Sequence, residues 1–162
     1  MSAIDDPTFD PALDLVLEAV IDAPRERVWA ALTEPALLKE WFCPVPWRLV
    51  ECEIELRPGG LFRTVMRGPE GDESGGAGCV LVATPHERFV WTDALAPGFR
   101  PSSEPFFTAD VRLEADGTRT RYTAIARHGT EEARKQHEEM GFHEGWGKTL
   151  EQMSELLAEG GV

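Results

Sequence analysis

The chain has 162 residues, 42% of them hydrophobic and 28% charged, which suits one globular domain with enough sequence to bury a core. A formal net charge of −13 and a pI near 4.7 repel phosphate backbones and anionic lipid, so neither nucleic acid nor a membrane surface is an expected partner. No apolar run approaches the roughly eighteen residues of a membrane span, and Met1 to Pro7 lacks the basic start and apolar centre of a secretory signal, so a cytoplasmic location is expected.

Residues 1–12, with Pro7, Pro11 and three aspartates, read as a loose N-terminal tail, and residues 13–162 as a single domain. Leu13 to Ile21 alternates as a strand, with Leu13, Leu15, Leu17, Ala19 and Ile21 on one face. Asp22 or Ala23 is then expected at a helix cap and Pro24 in the first turn, followed by a short helix over Arg25 to Thr33. Pro35 opens a second, packed through Leu37, Leu38 and Trp41. Phe42 to Pro46 holds two prolines and cannot be regular.

Trp47 to Leu56 alternates again, but Leu49, Cys52, Ile54 and Leu56 compete for the inner face and leave the register open. Arg57 to Gly60 turns the chain into a returning strand, Leu61 to Met66. Gly68 to Gly78 reads as a mobile, glycine-rich polar loop. Cys79 to Ala83 and Arg88 to Asp93 read as strands, Ala94 to Pro105 as a second long loop. Phe106 to Glu114 and Thr120 to Arg127 form a hairpin around Ala115-Asp116-Gly117.

From Thr130 to Glu159 the pattern becomes helical. Phe142, Trp146, Leu150, Met153 and Leu157 fall on one face; Thr130 suits the N-cap, Glu131 and Glu132 the first turn, and Gly160-Gly161 the stop. Gly141, Gly145 and Gly147 each cost a helix roughly 1 kcal/mol. Met140 stands roughly 200° from Phe142 on an ideal helix, so a bend near Gly141 is the favoured reading. The alternative is that glycine lets the backbone approach a ligand or a strand. Hairpin-linked strands make an antiparallel sheet, and this helix has only that sheet to cover, giving an α+β domain.

Motifs with a committed chemistry are missing: there is no GxSxG elbow, P-loop, GxGxxG or HExxH. Cys43, Cys52 and Cys79 are an odd number without a CxxC pair, which fits reduced, partly buried thiols. His137 and His143, six apart, do not share a helical face, so no metal site is expected. Asp93, Asp110 and Glu144 are nominal acid–base carboxylates, but in a chain with 29 acidic residues such a set carries little signal. Five tryptophans and eight phenylalanines supply a core or the wall of a cavity.

Four stretches, IDAPRERVWAALTEPALLKEWF (21–42), ELRPGGLFRTVMRGPEG (55–71), FVWTDAL (89–95) and HEEMGFHEGWGKTLEQM (137–153), together resemble the START-like (SRPBCC) superfamily. The similarity is to the branch grouped with the C-terminal domain of activators of the 90-kDa heat-shock-protein ATPase, and it spans about residues 13 to 158. The resemblance implies a helix-grip fold: a curved antiparallel sheet of about six or seven strands wrapped around a long C-terminal helix, with two short helices after the first strand and a ligand cavity between sheet and helix. Such relatives include lipid carriers, hormone receptors, polyketide cyclases and chaperone activators, and they share no catalytic residue that could be transferred.

The leading expectation is therefore a binder of a small apolar or aromatic molecule, with no cofactor and no catalytic residue identified. Trp41, Phe62, Met66, Trp91, Phe107, Met140, Phe142 and Trp146 are expected to form the wall, and Arg63, Asp93 and His143 the polar contacts. The alternatives are a module that interacts with a chaperone ATPase and a cyclase-like enzyme using the same cavity. Homodimerisation through a sheet edge or the 94–105 loop is a further expectation.

Overall fold

The computed structural model describes residues 6–159. Its strands are β1 (Asp14–Ile21), β2 (Arg48–Ile54), β3 (Leu61–Arg67), β4 (Glu73–Thr84), β5 (Arg88–Thr92), β6 (Leu95–Ala96), β7 (Arg100–Pro101), β8 (Thr108–Asp116) and β9 (Arg119–Arg127); its helices are α1 (Arg25–Thr33), α2 (Pro35–Trp41), α3 (Glu131–Glu139) and α4 (Phe142–Ala158). Among the described residues, seven strands form one antiparallel sheet in the order β1-β9-β8-β5-β4-β3-β2, and β6 pairs with β7 apart from it. The first two strands are thus the two edges. The chain passes between them through α1 and α2, and α2 packs on β2 and α4. This is the α+β helix-grip architecture.

Period-two alternation sorts the strands into two faces. On the outer face Asp110 sits opposite Val90 and Ile125 and is 1% exposed. Arg88, Arg112 and Arg127 all reach its carboxylate. Burial by itself would raise the Asp110 carboxyl; hydrogen bonds from Arg88 and Arg112 outweigh it and hold the group below the usual carboxylate range. This cluster stitches β5, β8 and β9 together. It explains why Asp110 is no acid–base group.

The inner face carries Phe62 on β3, Phe89 and Trp91 on β5, Val111 on β8 and Tyr122 on β9, and with α1, α2 and α4 it builds the main core. Helix α4 buries Phe142, Leu150, Met153 and Leu157, four of its five expected contact residues. Gln152 fastens α4 to the irregular Phe42–Pro46 segment: its Nε2 donates to the carbonyls of Trp41 and Cys43 at 3.0 and 2.7 Å, and its Oε1 accepts from the Val45 N–H. Arg27 of α1 donates to the Leu157 carbonyl at the other end.

Several local readings change. Glu73 to Gly78 is not loop: it is the first half of β4, paired with Phe62 to Arg67, because backbone hydrogen bonding to β3 does not require side chains. The 94–105 loop contains the small β6–β7 hairpin. The open register of β2 is settled by a bulge between Leu49 and Glu51; the additional residue reverses the alternation, so Leu49 is buried and Cys52 and Ile54 still pack inward while Leu56 is exposed. Pro24, rather than Asp22 or Ala23, occupies the α1 cap position.

The C-terminal helix is two helices. Thr130 caps α3, its hydroxyl accepting from the Ala133 N–H at 3.1 Å. The helix then stops at Met140, and Gly141 adopts φ +94°, a left-handed conformation that suits glycine. The expected bend at Gly141 is a full break. Of the N-terminal tail, residues 1–5 lie outside the described residues; from Asp6 the chain turns along the sheet, with Asp6 ion-paired to Arg112 and the Thr8 carbonyl accepting from Arg127. The Gly160-Gly161 stop also lies outside the described residues. Among the described residues no helix is long and apolar enough to cross a membrane.

Candidate functional site

The backbone of α4 draws up against β1, α1 and α2, leaving a hollow over the middle of the sheet. The result is a cavity of about 690 Å³ between β3, β4, β5, β8, β9 and the α3–α4 break, inside the range of small-molecule sites. Its wall is a run of aromatic rings. Phe62 stacks on Trp91 at 4.5 Å and 9°, Trp91 meets Phe107 edge-on at 5.3 Å, Phe107 meets Trp146 at 5.8 Å, and Trp146 touches Phe142 at 4.5 Å. These contacts are favourable edge and offset geometries that hold each ring in place.

Missing side chains make the room. On the inner face of β4 the small residues Gly76 and Ser74 stand opposite Thr64 and Met66, while Gly78, opposite Phe62, lets the Thr92 carbonyl of β5 come close. A Cβ at Gly76 would meet nothing within 4 Å, and the same is true at Gly145 on α4; both residues line the cavity. Glycine therefore does not serve here to bring α4 close to a strand. It leaves volume on two opposing walls.

Nine of the eleven expected site residues line the cavity: Trp41, Phe62, Met66, Trp91, Asp93, Phe107, Met140, Phe142 and Trp146. Met140, 68% exposed, sits at the rim, and the helix break is what lets Met140 and Phe142 serve the same space. Trp41 is anchored by its indole N–H, which donates to the Ala31 carbonyl at 2.8 Å. Asp93 accepts from the backbone N–H groups of Phe106 and Phe107 at 2.8 and 3.1 Å through Oδ1, so it holds the loop that presents Phe107.

Two expectations fail. Arg63 is next to Phe62 in a strand and so points the other way, to ion pairs with Glu51 and Glu53 on β2 at 3.4 and 3.5 Å. His143 follows Phe142 by one helical step of about 100° and is exposed outside the cavity. Polar groups not expected from the sequence line it beside Asp93. His137, on α3, is 7% exposed and packed among Phe106, Phe107, Phe142 and Trp146, with ring centroids 4.8–5.9 Å away. Its Nδ1 lies 2.9 Å from Nε2 of His128, whose Nδ1 is 2.8 Å from the Leu13 carbonyl. Burial first, and the neighbouring His128 second, push His137 down to about 4, so it is neutral at pH 7. Tyr122 also lines the cavity, and burial pushes its hydroxyl well up. The sequence offers no sign of the His128–His137 pair: the two are nine apart and meet only because α3 folds back over the end of β9.

Among the described residues no cluster of ligating side chains could hold a metal. All three cysteines are free, and burial pushes the Cys43 thiol up to about 11, away from thiolate chemistry.

The family model described as "Activator of Hsp90 ATPase homolog 1-like protein" matches residues 22–158. No curated protein matches the chain. Among solved structures, a protein from Nitrosomonas europaea is 48% identical with a TM-score of 0.90, covering 93% of this chain and 97% of its own. One from Rhodobacter sphaeroides is 27% identical with a TM-score of 0.81, covering 93% and 96%. The AHSA1-like protein from Aeromonas hydrophila, 18% identical with a TM-score of 0.69 over 91% and 94%, shares the fold. With a family match over residues 22–158 on a helix-grip architecture, this chain belongs to the Activator of Hsp90 ATPase homolog 1-like family.

Proposed function

We propose that this protein binds a small apolar or aromatic molecule in the cavity between its sheet and α4. The observation that carries the reading is a space of about 690 Å³ walled by interlocked aromatic rings and left open by glycine on two sides. A cavity whose lining is mostly apolar is favourable to fill with a largely apolar ligand. Trp91 and Trp146 stand in its wall, so occupancy is read directly from their fluorescence. Native mass spectrometry and tryptophan quenching against a library of hydrophobic compounds test the reading: a binder at one per chain is expected, with quenching weakened when Trp91 and Trp146 are replaced by phenylalanine and Trp41 is the one tryptophan left in the wall. Quenching as strong in that double variant as in the unaltered protein would place the ligand elsewhere and refute the proposal.

The family's description favours a second reading, stimulation of a chaperone ATPase. It predicts a raised ATP turnover when the protein is added to a purified 90-kDa chaperone. A rate unchanged at saturating protein would dismiss it.

A further inference from the structure

The hydrogen-bond chain that ends at His137 restricts what polar group the cavity can take. A carbonyl oxygen only accepts, so the 2.8 Å contact with Leu13 puts a proton on Nδ1 of His128. In a neutral His128 the other nitrogen, Nε2, then carries a lone pair. The 2.9 Å contact with His137 therefore needs its proton on Nδ1 of His137. That leaves Nε2 of His137 as a bare lone pair, and no protein group among the described residues donates to it. The ring lines the cavity within an aromatic box, and Nε2 is not among the enclosed atoms left without a partner, so this acceptor is open to whatever fills the cavity.

The charged lining agrees. Asp93 and Glu104 border the cavity, while no lysine or arginine is among its lining residues. A carboxylate or phosphate ligand would thus meet negative charge, with no cation to offset its desolvation.

We infer that the ligand is a neutral aromatic molecule carrying a hydroxyl group, which it donates to Nε2 of His137. The inference rests on the cavity being a binding site and adds the polarity of what enters it. Tyr122 is a second polar group in the same lining, and it makes no hydrogen bond among the described residues. As a protonated phenol it can donate to an oxygen elsewhere on the ligand.

Calorimetric titration with 2-naphthol, 2-methoxynaphthalene and 2-naphthoate decides the matter, since the second replaces the donor hydrogen of the first by a methyl group and the third brings a charge. The protein is expected to bind 2-naphthol about tenfold more tightly than its methyl ether, the worth of one net hydrogen bond, and to bind 2-naphthoate least. His137→Phe should abolish the preference for naphthol over its ether, whatever it does to the affinity for both. Equal affinity for naphthol and ether, or a preference for naphthoate, overturns the inference and leaves the cavity reading standing. Failure of all three compounds to bind counts against both. Long-range proton–nitrogen correlation NMR of the unaltered protein reads the tautomer without any variant. Both rings are expected as Nδ1–H, and a proton found on Nε2 of His137 would overturn the assignment.

Discussion

Placing a side chain at Gly145 tests whether the hollow under α4 is real, because the two answers have opposite signs. Gly145 lies inside α4 and lines the cavity, and a Cβ there would meet nothing within 4 Å. Gly145→Ala should therefore gain the helix preference of alanine over glycine, up to about 1 kcal/mol. In a domain of this size that raises the melting temperature by roughly 2–4 °C. Gly145→Leu keeps most of that gain and puts four carbons into the cavity. Its stability should equal or exceed that of the unaltered protein, while affinity for an aromatic probe falls at least about tenfold, a loss of about 1.4 kcal/mol. Urea unfolding with matched titrations by tryptophan fluorescence measures both effects on one sample. Were the space already filled, the leucine would overpack the core and cost about 1–3 kcal/mol. A destabilised Gly145→Leu protein, or a stable one that binds as before, would refute the argument. Gly76→Val on the facing wall repeats the test from β4, where a Cβ also meets open space.

Four further outcomes are expected. His137 is neutral when folded and protonates near 6.5 when unfolded but only near 4 when folded, so stability is complete above about pH 6.5 and is lost as pH falls towards 4. The loss is at most about 3 kcal/mol. Urea midpoints between pH 7 and 4.5 should fall more steeply for the unaltered protein than for His137→Phe; parallel curves would clear His137, with His128, Asp93 and Glu104 the next groups to test around the same cavity. Gly141→Ala forces a Cβ into a φ of +94° and should cost about 1–2 kcal/mol by thermal or chemical melting. Asp110→Asn removes the charge shared by Arg88, Arg112 and Arg127, and should cost about 2–3 kcal/mol, less than a fully enclosed pair because the arginines are partly exposed. Arg63→Ala and His143→Ala, both outside the cavity, should change ligand affinity by less than about twofold, as judged by the same titrations.

Much of the site was legible because its aromatic members are also the inward positions of regular elements. Alternation assigns Phe62 and Met66 to one face of β3, and the four-residue step assigns Phe142 and Trp146 to one face of α4. The same alternation, applied to Arg63, excludes it from the cavity. His143 fails for the corresponding reason on a helix. His137 was visible only as a metal ligand that lacked a partner, since its partner, His128, lies beyond a turn and a helix cap whose geometry no local pattern encodes.

Local order in this protein followed from short-range physics already present in the chain. Side-chain alternation makes the strands, Thr130 and the prolines set helix ends, and Gly141 supplies the one backbone conformation that stops α3 and restarts α4. Tertiary structure decided what depends on distant neighbours. Glu73 to Gly78 becomes strand because β3 offers it a hydrogen-bonding edge, and a bulge near Val50 chooses which side chains of β2 turn inward. The empty volume was decided there too, since a glycine records only the lack of a side chain, and whether that lack becomes a cavity depends on how closely the opposite wall approaches.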